Sequence, residues 1–494
     1  MAAAQEPQHL DSTAVRVAAP LSPSRRRAAD HVEHLTRDER KARGAAARVL
    51  TPRSSLALAG GGERRPHPID LLVSQGTSRV PELVPLRYGR MATSAFAFLR
   101  GAALIMASDL ASTPNSGLTV QLCGDAHMSN FGLYGTPERR MLFDLNDFDE
   151  TLPGPFEWDV KRLLASIEVA ARGNGIPRKD RRTMIVRTAR AYREAMRGFA
   201  TKTELEVWYA RVDVDEFMGE YVSQLGKAQA KRTESTIAKA RTRDHLQSVN
   251  KLTAIIDGER RLVSDPPLVT TLEEMLGAEG ATDFAERLVE LVHAYRVTLQ
   301  PDRRHLLEQY ELIDMARKVV GVGSVGTRAW ILLLRGVDDN DLLMLQAKEA
   351  QASVLEQFLG HSEYTQAGQR VVEGQRLMQA ASDTMLGWQR TRGIDGVERD
   401  FYIRQLRDWK GSATIETMVP DGMSRYAELC AWTLARAHAR SGDRVAIAAY
   451  LGSSKTADEA FATFAAEYGD RTEQDHALLL DAIATGRLEA IHGV

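Results

Sequence analysis

The spacing of apolar and polar positions divides the chain into helical and strand-rich segments. Apolar residues recur at helical spacing over 158–200, where Trp158, Leu163 and Ile167 fall on one face. The helical pattern continues from 201 to 310 and returns over 424–494. Between them, from 316, short β-rich runs are split by the acidic turn VDDND. A helix follows at about 364–382, and MLGWQRT and DFYIRQLRD read as two more strands on either side of a turn at Gly393–Gly396. The pattern therefore predicts an α+β protein.

The first 150 residues show three kinds of segment. Residues 1–62 lack aromatic side chains and are rich in Ala, Arg, Ser and Pro, which predicts a largely disordered tail with one short helix at 31–49. The run MATSAFAFLRGAALIMASDLA is apolar nearly all round and predicts a buried helix. LTVQLCG and RRMLFDLND read as short strands on either side of a polar loop.

Length and composition restrict the class of protein. A chain of 494 residues predicts two or three domains or lobes. The net charge of −2 gives no global field that favours nucleic acid or a membrane surface, and no apolar stretch approaches the roughly 20 residues that span a bilayer. Two cysteines, Cys123 and Cys430, form no disulfide framework. We therefore expect a cytoplasmic protein without nucleic-acid or membrane partners.

A cluster of oxygen-bearing side chains gives the strongest chemical signal. The runs CGDAHMSNFGLY and LFDLNDFDET place Asp125, Asn130, Asp147 and Asp149 within 25 residues. Phosphotransferases use such a group, because one Asp accepts or orients the acceptor hydroxyl while an Asn and another Asp hold the Mg²⁺ ions on ATP. The prediction is that Asp125 is the catalytic base, that Asn130 and Asp147 bind metal, and that Asp149 joins a second ion.

A later segment carries features of a nucleotide site. The glycine-rich run GVGSVG offers Gly321, Gly323, Ser324 and Gly326 for contact with phosphate, although a plain hairpin has the same pattern. Lys348 follows Gly326 by 22 residues, at the end of the strand LLMLQAK. Protein kinases place there the lysine that contacts the α and β phosphates.

Two further features extend the nucleotide hypothesis. Glu373, on the next helix, is the candidate partner that orients Lys348, while a surface helix charge is an equally good interpretation of it. The backbone of Arg404, Gln405 and Leu406 would contact the adenine base.

Family resemblance adds to these observations. GDAHMSN resembles the GD-x-H-x-x-N loop of aminoglycoside and choline phosphotransferases, and NDFDETLPGPFEWDVKRL resembles their metal-binding segment. RYGRMATSAFAFLRGAA, CGDAHMSNFG, FDLNDFDETLPGPFEWDVKRL and YIRQLRDWKGS resemble the bacterial domain of unknown function family 2252, from about residue 50 to the end. The resemblance implies a protein-kinase-like fold and an ATP-dependent reaction, with no acceptor specified.

The order of the motifs departs from that of ordinary kinases. Here the acidic cluster precedes the glycine-rich segment, which favours a circular permutation of the two-lobed fold. In that interpretation residues 63–315 form a helical large lobe, 316–412 a small antiparallel sheet lobe, and 413–494 C-terminal helices. The rival is that residues 63–120 supply a degenerate small lobe.

Function remains open between three classes. We expect a phosphotransferase that uses ATP and Mg²⁺ on a small-molecule hydroxyl acceptor, with AMP transfer also possible. The first alternative is a catalytically inactive kinase-like nucleotide-binding protein. The second is a metal-dependent phosphoesterase, suggested by GDAH, but the GD-x-x-D and GNH segments that such enzymes need do not occur in the chain.

Overall fold

A computed structural model gives the structure of the protein. It describes residues 34–62, 64–216, 245–319, 325–406 and 411–492, together with the isolated positions 231, 234–235, 237–238, 241 and 409. Of the predicted nucleotide-site residues, Gly321, Gly323 and Ser324 lie outside the described residues.

Helices and antiparallel strands both contribute to the fold, which confirms the predicted α+β class. The helices are α1 Arg37–Leu50, α2 Pro68–Gly76, α3 Val84–Ala92, α4 Ala95–Arg100, α5 Ala103–Ala111, α6 Phe156–Gly173, α7 Arg178–Phe199, α8 Glu204–Tyr209, α9 His245–Leu252, α10 Leu272–Arg296, α11 Pro301–Leu307, α12 Glu356–Leu359, α13 Ala367–Met378, α14 Pro420–Ser441, α15 Arg444–Leu451 and α16 Thr456–Ala484. The strands are β1 Thr119–Leu122, β2 Phe131–Gly135, β3 Met141–Leu145, β4 Leu152–Pro155, β5 Val212–Asp213, β6 Thr253–Ile256, β7 Glu259–Leu262, β8 Val269–Thr271, β9 Glu311–Lys318, β10 Ala329–Arg335, β11 Leu342–Ala350, β12 Gly387–Arg392 and β13 Glu398–Gln405.

The six-stranded sheet has the order β12-β13-β11-β10-β9-β8, and every pairing is antiparallel. Successive side chains on a strand point to opposite faces, so the register fixes which residues share a face. Leu345, Ala347, Phe401 and Ile403 form one face, which packs in a single apolar cluster with Tyr295 of α10. The opposite face is therefore the one that carries Lys348.

The helices α6, α7, α14, α15 and α16 form a helical body around the main apolar core. Nearly the whole of α6 is buried, including the charged Glu157, Asp159, Lys161 and Arg162. Such burial is costly unless each polar group finds a partner, so the partners of α6 define where the polar interior of the protein lies. Asp159 and Arg162 find partners on the loop after β1, described below, whereas Glu157 accepts from Ser116 and Lys161 donates to the Leu58 carbonyl.

Three predictions of local structure need correction. Residues 34–62 of the predicted disordered tail are ordered, because Thr36 and Glu39 form a capping box and Gly44 lies against the backbone of Ala446 on α15. The single helix predicted over 91–111 is divided among α3, α4 and α5, since the Ser94 side chain caps a new helix by accepting from the Ala97 amide.

The helical prediction for 201–310 is wrong at β6, β7 and β8. Asp257 and Gly258 both have positive φ, 51° and 84°, and turn β6 into β7. An Asp-Gly pair is a strong hairpin signal, and it was available in the sequence.

The described helices include none long and apolar enough to span a membrane.

A fully buried ion pair joins β3 to the helical body. Asp144 accepts from Arg436 of α14 at 2.5 Å and from the Ala380 amide at 2.9 Å. The side chains of Asp144 and Arg436 are each 1% exposed. We predict that Arg436→Met lowers the free energy of unfolding by about 3–5 kcal/mol, because it leaves a buried carboxylate without its cation. Urea denaturation would measure the loss. Asp144→Asn in the same chain should restore part of it, and an equal or larger loss in the double variant would contradict this account.

Candidate functional site

The first loop of the site, Cys123–Asn130, connects β1 to β2 and is held in place by hydrogen bonds to α6. Asp159 accepts from the Cys123 amide at 2.7 Å and the Gly124 amide at 3.0 Å. Gly124 has φ +81°, and a Cβ there would lie 2.3 Å from the carbonyl oxygen of Glu150. Only glycine fits, so the first loop lies directly against the second.

Asp125 lies in this loop near the guanidinium group of Arg162 and near the carboxylates of Asp147 and Glu150. Arg162 of α6 donates to its Oδ1 at 2.8 Å, and His127 Nε2 lies 3.6 Å from its Oδ2. Burial raises the pKa of Asp125 to about 6; the Arg162 guanidinium opposes this rise, and Asp147 and Glu150 add to it. The group is therefore ionised at neutral pH yet more basic than an ordinary aspartate.

Asn130 ties the two loops together. The Asn130 Nδ2 donates to the backbone oxygen of Asp125 at 2.7 Å, and the backbone carbonyl of Asn130 accepts from the backbone amide of Asn146 at 3.0 Å. The side chain is 7% exposed. Its amide group is thus held beside Asp125, although it is not among the residues that line the cavity described below.

The second loop, 146–151, follows β3 and carries Asp147 and Asp149. Burial, with the charge of Asp149 next, raises the pKa of Asp147. Burial acts in the same direction on Asp149, but the adjacent Lys348 outweighs it and lowers the pKa of Asp149. The two neighbouring carboxylates thus differ in proton affinity, because Asp149 forms the ion pair with Lys348 and also accepts from Tyr402.

Lys348 links the six-stranded sheet to the second loop. Its Nζ forms an ion pair with Asp149 Oδ2, across 199 residues of sequence. The register places Tyr402 opposite Lys348, and the Tyr402 hydroxyl donates to Asp149 Oδ1 at 2.9 Å. Lys348 is 4% exposed and its pKa is raised, because Asp147 and Asp149 together outweigh its burial. The sheet and the acidic loops therefore form one polar centre.

Arg370 on α13 is a site residue that the sequence analysis missed. It is 2% exposed and donates to the backbone oxygens of Thr151, Asp149 and Gln351 at 2.6, 2.8 and 2.7 Å. It thereby links the second loop to the segment after β11. An arginine on an otherwise apolar helix face was the signal, but its backbone partners are invisible in a sequence.

The predicted partner of Lys348 needs correction. Glu373 pairs with Arg376 on its own helix at 3.1 Å, whereas Lys348 pairs with Asp149. Arg376, three positions after Glu373 on the same helix, is the cation that Glu373 contacts. Glu373 therefore behaves as a surface helix charge, the other interpretation given above.

The predicted adenine contacts have partners within the protein. The amide of Gln405 donates to Asp383 Oδ2 at 3.2 Å and that of Leu406 to the Met344 carbonyl at 3.0 Å. The Arg404 side chain shares a face with Tyr402 and reaches the Asn146 carbonyl at 3.3 Å. Contact of these residues with a base stays a prediction.

The two loops enclose a cavity of about 40 Å³. Its lining includes the carboxylates Asp125, Asp147, Asp149 and Glu150 and the guanidinium groups Arg79, Arg87 and Arg100. A larger cleft of about 720 Å³, lined by Arg303, Arg376 and Asp383 among others, shares no lining residue with it. Size alone favours the larger cleft as a ligand site, but the perturbed and convergent titratable groups lie in the smaller one.

The carboxylates of the site suit Mg²⁺ as partial ligands, with the rest of the shell left to substrate and water. The described part of the chain has no group of three or more His, Cys, Asp or Glu side chains arranged to hold a metal ion. Mg²⁺ does not require such a cage, because it is usually bound by one or two carboxylates with substrate phosphates and water completing its shell. Asp147 and Asp149, which line the cavity, provide ligands of that kind.

Arg370 should hold the second loop in place. We predict that Arg370→Met raises the hydrogen-exchange rates of the amides over 147–151 about tenfold or more, because each charge-assisted hydrogen bond lost is worth roughly 1.5–3 kcal/mol. Mass-spectrometric exchange would measure this. Arg376→Met, on the same helix but paired with Glu373, is the matched control and should leave those amides unchanged. Equal effects of the two variants would show that Arg370 has no special role.

Comparison with known proteins places the chain in a family. Residues 79–482 match the family model described as an uncharacterized protein conserved in bacteria, DUF2252. The chain has no significant match among curated proteins or among solved structures. The matched range contains both acidic loops, Lys348 and Arg370. The chain belongs to the bacterial family DUF2252.

Proposed function

We propose that the protein is a phosphotransferase of kinase-like type that uses ATP and Mg²⁺ to phosphorylate the hydroxyl group of a small molecule. The observation that carries the proposal is the ion pair of Lys348 with Asp149, beside Asp125 and Asp147. Four side chains predicted from separate motifs lie around one polar centre, as phosphoryl transfer requires.

Asp125 has the properties of the group that receives the acceptor proton. It lines the cavity, and Arg162 fixes its orientation. A base is most effective when its pKa lies near the working pH, because it is then both ionised and able to take the proton. The pKa of about 6, raised by burial, meets that condition better than the usual value of an aspartate.

Lys348, Asp147 and Asp149 would hold the nucleotide. Mg²⁺-ATP supplies the phosphoryl group and part of the charge neutralisation. Asp147 and Asp149, with Asn130, would bind Mg²⁺, and Lys348 would bind phosphate oxygens. Lys348 and Asp149 now neutralise each other, so nucleotide binding would exchange one favourable charge pairing for two others.

The arrangement of elements supports a permuted kinase-like fold. Lys348 lies two residues before the end of β11, α12 and α13 follow this strand, and β12 and β13 complete the sheet beside it. The rival small lobe, residues 63–120, holds helices α2 to α5 before β1 begins at Thr119, so it offers little sheet to hold a nucleotide. The antiparallel sheet of β8 to β13 is the better candidate for the small lobe.

Separate variants should distinguish binding from chemistry. We predict that Lys348→Met weakens Mg²⁺-ATP binding about 10- to 100-fold, because roughly 1.5–3 kcal/mol of charge-assisted contact is lost. Asp125→Asn should leave nucleotide binding intact and lower turnover by about 10²–10⁴-fold. Isothermal titration calorimetry and transfer of label from γ-³²P-ATP to extracted small molecules would measure the two effects.

The matched control for Lys348→Met is Lys161→Met, a buried lysine that donates to the Leu58 carbonyl outside the cavity. Equal ATP affinity in all these variants would refute the proposed nucleotide site. ATP binding without turnover in the wild type would favour the inactive, nucleotide-binding alternative. Labelling from α-³²P-ATP, but not from γ-³²P-ATP, would indicate AMP transfer instead.

The pKa of Asp125 predicts the pH dependence. Because the base must be ionised, Mg²⁺-dependent ATP turnover divided by KM should rise with pH through a midpoint of about 6 and then level off. The Arg162 guanidinium lowers that pKa, so Arg162→Gln should move the midpoint to higher pH. A flat profile between about pH 5 and 8, or a shift to lower pH in the variant, would contradict the assignment. Circular dichroism would verify that the variant folds.

A further inference from the structure

The cavity beside Asp125 has a basic wall, which comes from the helices that precede β1. Arg79, Arg87 and Arg100 line it opposite the two acidic loops, with Gln75, Gly101 and Ala103 between them. The wall belongs to α2–α5 and the turn between α2 and α3, outside the segments to which nucleotide and metal roles were assigned above.

Arg87 is buried in an unusual environment. It is 0% exposed, and its Nη2 donates to Gln75 Oε1 at 2.9 Å and to the Gly101 carbonyl at 2.8 Å. Within the described residues, its Nε and Nη1 have no hydrogen-bond partner. Burial, and next the charge of Arg79, place the pKa of Arg87 well below that of an ordinary arginine. Its strongest charged neighbour is therefore another cation.

Three other buried arginines of the protein are differently placed, although Arg370 resembles Arg87 in donating to backbone carbonyls. Arg436 pairs with Asp144, Arg193 with Asp458 and Arg162 with Asp125, each through a carboxylate within 2.9 Å. A buried cation without such a partner costs several kcal/mol, which an anionic ligand would recover. The guanidinium group suits phosphate and carboxylate in particular, because its N–H groups match two oxygens at once.

Arg79 and Arg100 complete the wall. Arg79 is 8% exposed and donates through Nη1 to the Val325 carbonyl, next to Gly326, while its Nε is unpartnered among the described residues. A Cβ at Gly326 would lie 3.0 Å from the Cβ of Arg79, so the end of the glycine-rich run rests on this arginine. The buried Nε of Arg100 likewise has no partner in the described part of the chain.

We propose that Arg79, Arg87 and Arg100 form a subsite for a phosphate group, next to the reactive carboxylate Asp125. The cavity of about 40 Å³ suits a group of this size, since one water needs roughly 10–15 Å³ of such volume whereas drug-sized ligands occupy about 300–1,000 Å³. The inference rests on the proposed phosphotransferase function. The phosphate belongs either to the end of the nucleotide or to an acceptor that is itself phosphorylated, and the two sources can be separated.

The test uses inorganic phosphate as the probe, titrated calorimetrically into the full chain without nucleotide. We expect phosphate to bind the wild type, and to bind Arg87→Gln and Arg100→Gln at least about tenfold more weakly, the effect of losing one charge-assisted contact. Arg100 is only partly buried, so its variant keeps the test valid if Arg87→Gln fails to fold. Arg303→Gln, in the larger cleft, is the control and should bind as the wild type does. No binding to the wild type, or equal binding to all variants, would overturn the proposal.

A second titration, with the non-hydrolysable analogue AMP-PNP and Mg²⁺ present at saturation, identifies the source. Competition between phosphate and the analogue assigns the subsite to the terminal phosphate of the nucleotide. Simultaneous binding assigns it to a phosphorylated acceptor. If phosphate binds at the arginines but the analogue does not bind at all, the subsite stands and the proposed function fails. If the analogue binds through Lys348 but phosphate does not bind, the proposed function stands and the subsite fails.

Discussion

The ion pair between Lys348 and Asp149 is the interaction on which the architecture of the site depends. It joins the last residues of β11 to a loop 199 positions earlier in the chain. Without it, the sheet and the helical body would still each have an apolar core. Their polar surfaces, however, would lose the charge pairing that makes burial of Lys348 and of the carboxylates opposite it tolerable, and hydrogen bonds such as that from Tyr402 to Asp149 would remain as the links between them.

The loops that meet at this pair are held from several directions. Asp159 fixes the first loop through two backbone amides, and Arg370 fixes the second through backbone carbonyls. Gly124 lets the loops touch. None of these residues needs to contact a substrate, yet together they set the separation of Asp125 from Asp147 and Asp149. Such rigid support is what allows charged groups to stabilise a reaction without reorganising.

Much of this organisation was predictable from the sequence, and what escaped prediction has identifiable causes. The strands around Asp125 and the β-rich region from 316 followed from apolar spacing. The partner of Lys348 did not, since a pattern cannot decide whether Glu373 turns toward Lys348 or toward Arg376. Arg370 and Arg87 were missed because the role of Arg370 depends on backbone carbonyls, and that of Arg87 on the lack of an ion pair with any described carboxylate, which only coordinates reveal. The hairpin at Asp257–Gly258 was a readable signal that the helical pattern around it obscured.

A crystal structure of the protein with AMP-PNP and Mn²⁺ in place of Mg²⁺ would test the central claim most directly, since the anomalous signal locates the metal. The account predicts Mn²⁺ bound by Asp147 and Asp149, and phosphate oxygens within hydrogen-bond distance of Lys348 Nζ, facing Asp125. The nucleotide bound instead in the cleft lined by Arg303 and Arg376, with the Lys348–Asp149 pair intact, would contradict it.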